Sequence, residues 1–104
     1  MTLSSRRRAE LRAQAHHLQP LVQVGHQGLT PALVHSLDDA LRTRELVKLQ
    51  LGRHSELDVK DTAHHLAGRL GADVVQVIGR TATLYRENPE KRRADESPRA
   101  RATE

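Results

Sequence analysis

The fold of this chain is decided by residues 22–31, VQVGHQGLTP, which join a strand, a loop and the start of a helix. The first three residues alternate apolar and polar side chains, as in a strand buried on one side. Thr30 is a favoured N-cap, and Pro31 falls at the first helical position, where a missing N–H costs nothing. The G-x-x-G loop at residues 25–28 therefore brings backbone amides and the positive end of a helix dipole to whatever docks there.

Outward from this stretch, the hydrophobic periodicity switches repeatedly between that of a helix and that of a strand. It predicts helices near residues 5–17, 31–42 and 59–70 and strands near residues 21–24, 46–51, 74–78 and 82–86. The order α-β-α-β-α-β-β indicates a single small α/β domain, a four-stranded mixed sheet with helices covering one face. We assign residues 3–87 to this domain and expect the charged residues 88–104 to be a disordered tail.

The composition limits the classes of function. Tyr85 is the only aromatic residue among 104, so extended stacking of bases on aromatic side chains is excluded. The chain has no Cys, which excludes disulfides, thiolate catalysis and Cys-ligated zinc. Its formal net charge of +4 suits a polyanionic partner. No apolar run approaches the roughly 20 residues of a membrane span and no secretory signal is visible, so we expect a cytoplasmic protein.

Side chains that could support catalysis or metal binding show no supporting pattern. The pairs His16-His17 and His64-His65 are adjacent, so neither has the i, i+4 spacing with which a helix chelates a metal. The serines lack a nucleophile-elbow context, and a solvated helix face explains Asp38-Asp39. We therefore expect no metal, no cofactor and no enzymatic activity.

The cations that could surround the glycine loop are mostly arginines, which grip phosphate with two parallel hydrogen bonds. An ordinary solvated surface is the alternative for each of them. Three arginines in a first helical turn oppose the helix dipole, which favours a role other than stability. The candidates for nucleic-acid contact are Arg6, Arg7, Arg8, Arg12, Lys48, Arg80 and Arg86.

Six segments of the sequence form a recognisable set: LSSRRRAELR at 3–12, AHHLQP at 15–20, VGHQGLT at 24–30, ELVK at 45–48, VQVIGRT at 75–81 and LYR at 84–86. Together they resemble the CRM domain (chloroplast RNA splicing and ribosome maturation) in its bacterial stand-alone, YhbY-like form, and the resemblance covers residues 3–87. It implies three helices and a four-stranded mixed sheet, similar in shape to the C-terminal domain of bacterial translation initiation factor 3. It also implies RNA binding through a KH-like glycine loop, here Gly25, His26, Gln27 and Gly28.

The resulting hypothesis is a non-catalytic domain that binds ribosomal RNA of large-subunit precursors and assists assembly of the large ribosomal subunit. Backbone amides of the glycine loop hold phosphates, and the basic side chains add charge around them. The alternative is a protein-interaction adaptor that docks on a ribosomal protein or an assembly factor, with its charge incidental. The salt dependence of RNA binding separates the two hypotheses.

Overall fold

The computed structural model describes residues 3–89, and all seven expected elements occur in the expected order. The predicted α/β class, with three helices and a four-stranded mixed sheet, is confirmed, and the predicted bounds agree with the observed ones within two residues. The helices are α1 Ser5–Ala15, α2 Pro31–Arg44 and α3 Val59–Leu70, and the strands are β1 Val22–Val24, β2 Leu46–Leu51, β3 Asp73–Ile78 and β4 Thr81–Tyr85.

The four strands form one mixed sheet in the order β1-β2-β4-β3. β1 runs parallel to β2, and β4 is antiparallel to both of its neighbours, with Thr81 opposite Gln50 of β2 and Ile78 of β3. The carboxyl ends of β1 and β2 therefore meet the β3–β4 turn at the same end of the sheet. We call this the loop end, and it comprises residues 25–28, 52–57 and 79–80.

The ends of α2 follow from local chemistry. The Thr30 hydroxyl accepts a hydrogen bond from the Leu33 N–H at 3.1 Å, and Pro31 opens the helix as predicted. At the other end Glu45 takes a φ of +66°, which is uncommon for a residue with a side chain. Its carbonyl accepts the Arg86 N–H at 2.9 Å. This contact helps hold the abrupt passage from α2 into β2.

The main core lies between one face of the sheet and the pair α2 and α3. Side chains alternate along β2, so its odd-numbered residues face this core. α3 begins after an Asp58 N-cap and ends at the left-handed Gly71, whose φ is +67°. The fully buried leucines of this core are Leu37, Leu41, Leu49, Leu51, Leu66 and Leu84.

The prediction that the helices cover one face is wrong for α1. Leu11 and Ala15 of α1 are 1% and 0% exposed, and they pack with Leu46, Val75 and Tyr85 in a second cluster separate from the main core. Strand alternation places this cluster on the sheet face turned away from α2 and α3. The sheet is therefore covered on both faces at the end opposite the loop end.

The physical reason lies in the side-chain pattern of β2. Leu46 shares its face with Lys48 and Gln50, which make that face look solvated in the sequence. Leu46 nevertheless pairs directly with Tyr85, and together they give α1 an apolar patch to bury. Beyond this patch, toward the loop end, the face stays open.

The chain leaves the sheet after β4 and contacts the α2–β2 junction. Asn88, the first residue assigned to the tail, donates its N–H to the Glu45 carboxylate at 2.6 Å and its side-chain amide to the Arg42 carbonyl at 2.7 Å. Residues 90–104 of the predicted tail lie outside the described residues, and the domain boundary stays a prediction. Within residues 3–89, no helix combines the length and the apolar character that crossing a bilayer requires.

Candidate nucleic-acid interface

The glycine loop forms a tight turn between β1 and α2. Gly28 donates its N–H to the Gly25 carbonyl at 3.0 Å, and the Gly28 carbonyl accepts from the Thr30 N–H at 3.1 Å. The φ of Gly28 is +74°, a left-handed conformation that side chains disfavour. The turn itself therefore calls for glycine at position 28.

Backbone conformation does not explain why position 25 is a glycine. Its φ lies outside the left-handed region, and a Cβ built there meets no atom within 4 Å. The hydrogen bonds of residues 3–89 leave the backbone N–H groups of His26 and Gln27 without a partner, and both residues are exposed. The loop thus offers two free amide donors beside a helix N-terminus, with open space at Gly25. Such an arrangement is suited to binding an anion.

The loop after β2 lies against the glycine loop, and the β3–β4 turn lies beside the loop after β2. Gly52 donates its N–H to the Val24 carbonyl at 2.9 Å, and a Cβ at position 52 would stand only 3.3 Å from that oxygen. The Arg80 guanidinium donates to the carbonyls of Gly52 and Arg53 at 3.1 and 3.2 Å. Arg80 therefore lies at the loop end, where it joins the β3–β4 turn to the loop after β2.

The loop after β2 carries two residues that were not among the candidates predicted from the sequence. Arg53 and His54 are exposed, and they follow β2 as the glycine loop follows β1. Because the carboxyl ends of adjacent parallel strands lie at the same end of a sheet, this position was a usable signal. It depended on recognising that β1 and β2 pair in parallel.

Two of the α1 arginines hold α1 on the sheet. The Arg7 guanidinium lies 5.3 Å from the centre of the Tyr85 ring and donates to the Tyr85 hydroxyl at 3.4 Å and to Glu10 at 3.3 Å. The bond to Tyr85 and the one to Glu10 raise the pKa of Arg7 despite its partial burial. Arg8 donates to the Val74 carbonyl of the edge strand β3. Both side chains thus have structural partners.

The other two α1 arginines are more open to solvent. Arg6 is 92% exposed and lies 3.9 Å from Glu10, and Arg12 is exposed as well. The Arg7 contact with Tyr85 places the N-terminal part of α1 at the far end of β2, since Tyr85 pairs with Leu46. Five residues of strand correspond to about 17 Å. The first turn of α1 and the glycine loop are therefore separate surfaces.

The Arg86 side chain makes three hydrogen bonds to other parts of the fold. Its Nη1 donates to Asp38 Oδ1 at 2.7 Å and to the Leu70 carbonyl at 3.0 Å, and its Nη2 donates to the Asp38 carbonyl at 3.0 Å. The side chain is 23% exposed, and its hydrogen bond lowers the pKa of Asp38. This geometry favours a structural role, linking α2, α3 and the end of β4, over the predicted nucleic-acid contact.

Lys48 occupies an intermediate position on the α1 face of the sheet. Its Nζ donates to the Leu18 carbonyl at 3.1 Å, and its own carbonyl accepts from the Leu21 N–H at 3.0 Å. The candidates therefore divide into a loop-end group, an α1 group, Lys48 between them, and Arg86, which lies among α2, α3 and the end of β4. Within residues 3–89, no group of three or more His, Asp or Glu side chains is arranged to hold a metal ion.

The fold and the glycine loop together define a class of protein, a three-helix α/β domain with a tight glycine turn before its second helix. Comparison with known proteins identifies the family. The chain belongs to the CRS1 / YhbY (CRM) domain family, whose model matches residues 3–86. "Probable RNA-binding protein YqeI" of Bacillus subtilis is 34% identical over 93 residues, covering 89% of this chain and 97% of the relative. "Probable RNA-binding protein PA4753" of Pseudomonas aeruginosa is 33% identical over 89 residues, covering 86% of each chain.

The fold also has a counterpart among solved structures. The solution structure of the hypothetical protein SAV1595 from Staphylococcus aureus matches with a TM-score of 0.72 and 32% sequence identity. The match covers 84% of this chain and 91% of that one. The family and the fold anticipated from the sequence segments are therefore confirmed.

Proposed function

We propose that this protein binds RNA at its loop end and acts by occupancy, without catalysis. The observation that carries the proposal is the pair of unpartnered amides at His26 and Gln27, next to a glycine that the described fold does not require. An RNA phosphate satisfies both donors and is favoured by the N-terminus of α2. The names of the relatives, which describe probable RNA-binding proteins, support the same partner.

The surrounding charge supports RNA over a neutral partner. Arg53 is exposed on the loop that lies against the glycine loop, Arg80 joins that loop to the β3–β4 turn, and Lys48 lies on the adjoining sheet face. The exposed Arg6 and Arg12 form a second basic area on α1. A structured RNA is large enough to touch both areas, whereas a single phosphate group is not.

RNA binding is expected to depend strongly on salt. With about 4–6 phosphate contacts, the logarithm of the association constant falls against the logarithm of salt concentration with a slope of about −3 to −4 for a single-stranded target. Fluorescence anisotropy at several salt concentrations measures this slope. A flat response would favour the adaptor hypothesis, in which the charge is incidental and the partner is a ribosomal protein or an assembly factor.

The biological role we propose is assistance in assembling the large ribosomal subunit in the cytoplasm, through ribosomal RNA of its precursors. The family to which the chain belongs and the small size of the domain support this proposal. A domain of this kind shields, holds or bridges an RNA surface until later components arrive. It then leaves when the mature surface covers its site.

Fractionation of cell lysate on sucrose gradients tests this role. The protein is expected with immature large-subunit particles and depleted from translating ribosomes, because an occupancy factor departs on maturation. Stoichiometric presence on polysomes would make it a component of translation instead. Absence from every ribosomal fraction would remove the assembly role and leave RNA binding alone.

A further inference from the structure

A cleft of about 380 Å³ lies where α1 ends above the open half of the sheet. One wall comes from the segment after α1, and the floor comes from β2, β3 and β4. Its lining residues share a mixed apolar and hydrogen-bonding character: His16, Leu18, Pro20, Lys48, Gln76, Ile78, Thr81 and Thr83, with Gln19. The cleft shares no residue with the glycine loop.

The floor of the cleft carries hydrogen-bonding groups that the protein does not use. Within residues 3–89, the side chains of Gln76, Thr81 and Thr83 take part in no hydrogen bond. Thr83 is only 1% exposed, and no fully buried side-chain oxygen in this part of the chain lacks a partner. The Thr83 hydroxyl must therefore be accessible from the cleft. In the cleft, solvent or a bound ligand supplies the hydrogen-bond partner of this hydroxyl.

The walls are apolar and partly exposed. Leu18 is 37% exposed and Ile78 is 63% exposed, and the imidazole of His16 stands at the edge of the cleft. Apolar walls around a few convergent polar groups are typical of pockets for small planar ligands. The sole aromatic, Tyr85, is buried beneath Arg7 and cannot serve as a stacking platform.

The charge and the position of the cleft connect it to the loop end. None of its lining residues is acidic, and Lys48 lies at its border. Thr81 stands opposite Gln50, which stands opposite Gln23, two residues before Gly25. The route from the cleft to the glycine loop is therefore about 10 Å across the strands and about 7 Å along β1. A strand of RNA spans this distance with a few nucleotides.

We propose that the cleft is a nucleobase site: it takes one unpaired base from the RNA strand whose phosphate lies on the glycine loop. This rests on the proposed function and extends it from phosphate binding to recognition of single-stranded RNA. The base lies between the aliphatic walls and the His16 ring, and its polar edge bonds to the Gln76 amide and the Thr83 hydroxyl. Unpaired bases in RNA are commonly read in this way.

The test compares oligonucleotides of equal length that carry the same phosphates, made of uridine, cytidine, adenosine or abasic ribose. The wild-type protein is expected to bind at least one of the base-containing strands more tightly than the abasic strand, by about fivefold or more. The double variant Gln76→Met/Thr83→Val keeps side-chain volume but removes the polar groups, and it is expected to reduce that preference about fivefold. Gln14→Met, an exposed amide on α1 outside the cleft, is the matched control and keeps the preference.

The outcomes separate the nucleobase site from the function on which it rests. If wild-type protein binds base-containing and abasic strands with equal affinity and with strong salt dependence, the nucleobase site is overturned and the phosphate site stands. An unchanged preference in the folded double variant also overturns the nucleobase site. If no strand binds at all, the proposed function itself fails.

Discussion

Replacing Gln27 with aspartate is expected to weaken RNA binding at least tenfold, about 1.4 kcal/mol, while the fold stays intact. Gln27 is exposed, and its side chain has no hydrogen bond within residues 3–89, so the change removes no internal contact. The new carboxylate stands beside the free amides that the RNA phosphate needs and repels that phosphate. A negative charge near the start of α2 is favourable to the helix dipole, so stability should hold or rise slightly.

Anisotropy titrations and thermal melts of the same samples measure both halves of this expectation. His65→Asp places a new carboxylate on the exposed surface of α3 and serves as the control for net charge. Its RNA affinity is expected to stay within about twofold of wild type, since salt screens exposed charges beyond about 10 Å. Normal binding by Gln27→Asp would reduce the glycine loop to a structural helix start.

Arg86→Ala is expected to destabilise the protein by about 2–3 kcal/mol, since it removes three hydrogen bonds, two of them to carbonyls of neighbouring helices. For a domain of this size that loss lowers the melting temperature by about 10–20 °C. The Asp38 pKa is lowered in the folded state, so its share of the stability is present at neutral pH and is lost as pH falls through that lowered pKa. RNA affinity of the folded variant should be nearly unchanged.

Arg53→Ala is the complementary variant and should show the opposite pattern. Its side chain is exposed at the loop end, so the free energy of unfolding should change by less than about 0.5 kcal/mol. RNA binding should weaken, and the salt slope should become shallower by about 0.7 for each phosphate that the variant no longer neutralises. If Arg86→Ala lost RNA binding while keeping its melting temperature, the structural role of Arg86 would be refuted.

The elements of this fold could be predicted because their signals are local. Thr30-Pro31 marks the start of α2, and Gly71 marks the end of α3, each through the chemistry of a few neighbouring residues. The placement of α1 could not be predicted in the same way. It depends on the pairing of Leu46 with Tyr85, two residues far apart in the chain that form an apolar patch only once β2 and β4 are aligned.

The candidate site was predictable in part for a related reason. The two glycines of residues 25–28 indicate a tight turn, and the structure contains that turn. The roles of individual arginines depend on partners distant in sequence. Arg86 meets Asp38, 48 residues away, and Arg80 meets the carbonyl of Gly52, 28 residues away. Charge and residue type alone did not distinguish these side chains from a freely exposed arginine such as Arg53.

The central claim, that the glycine loop holds RNA, is tested most directly by the backbone amide signals of the loop during an RNA titration. Heteronuclear NMR of the isotope-labelled protein with a short single-stranded RNA reports each N–H separately. We predict that the amide resonances of His26 and Gln27 shift in a saturable way and that added salt reverses the shifts, because these donors gain a phosphate acceptor. Saturable shifts elsewhere on the protein, with the His26 and Gln27 amides unmoved, would contradict the account.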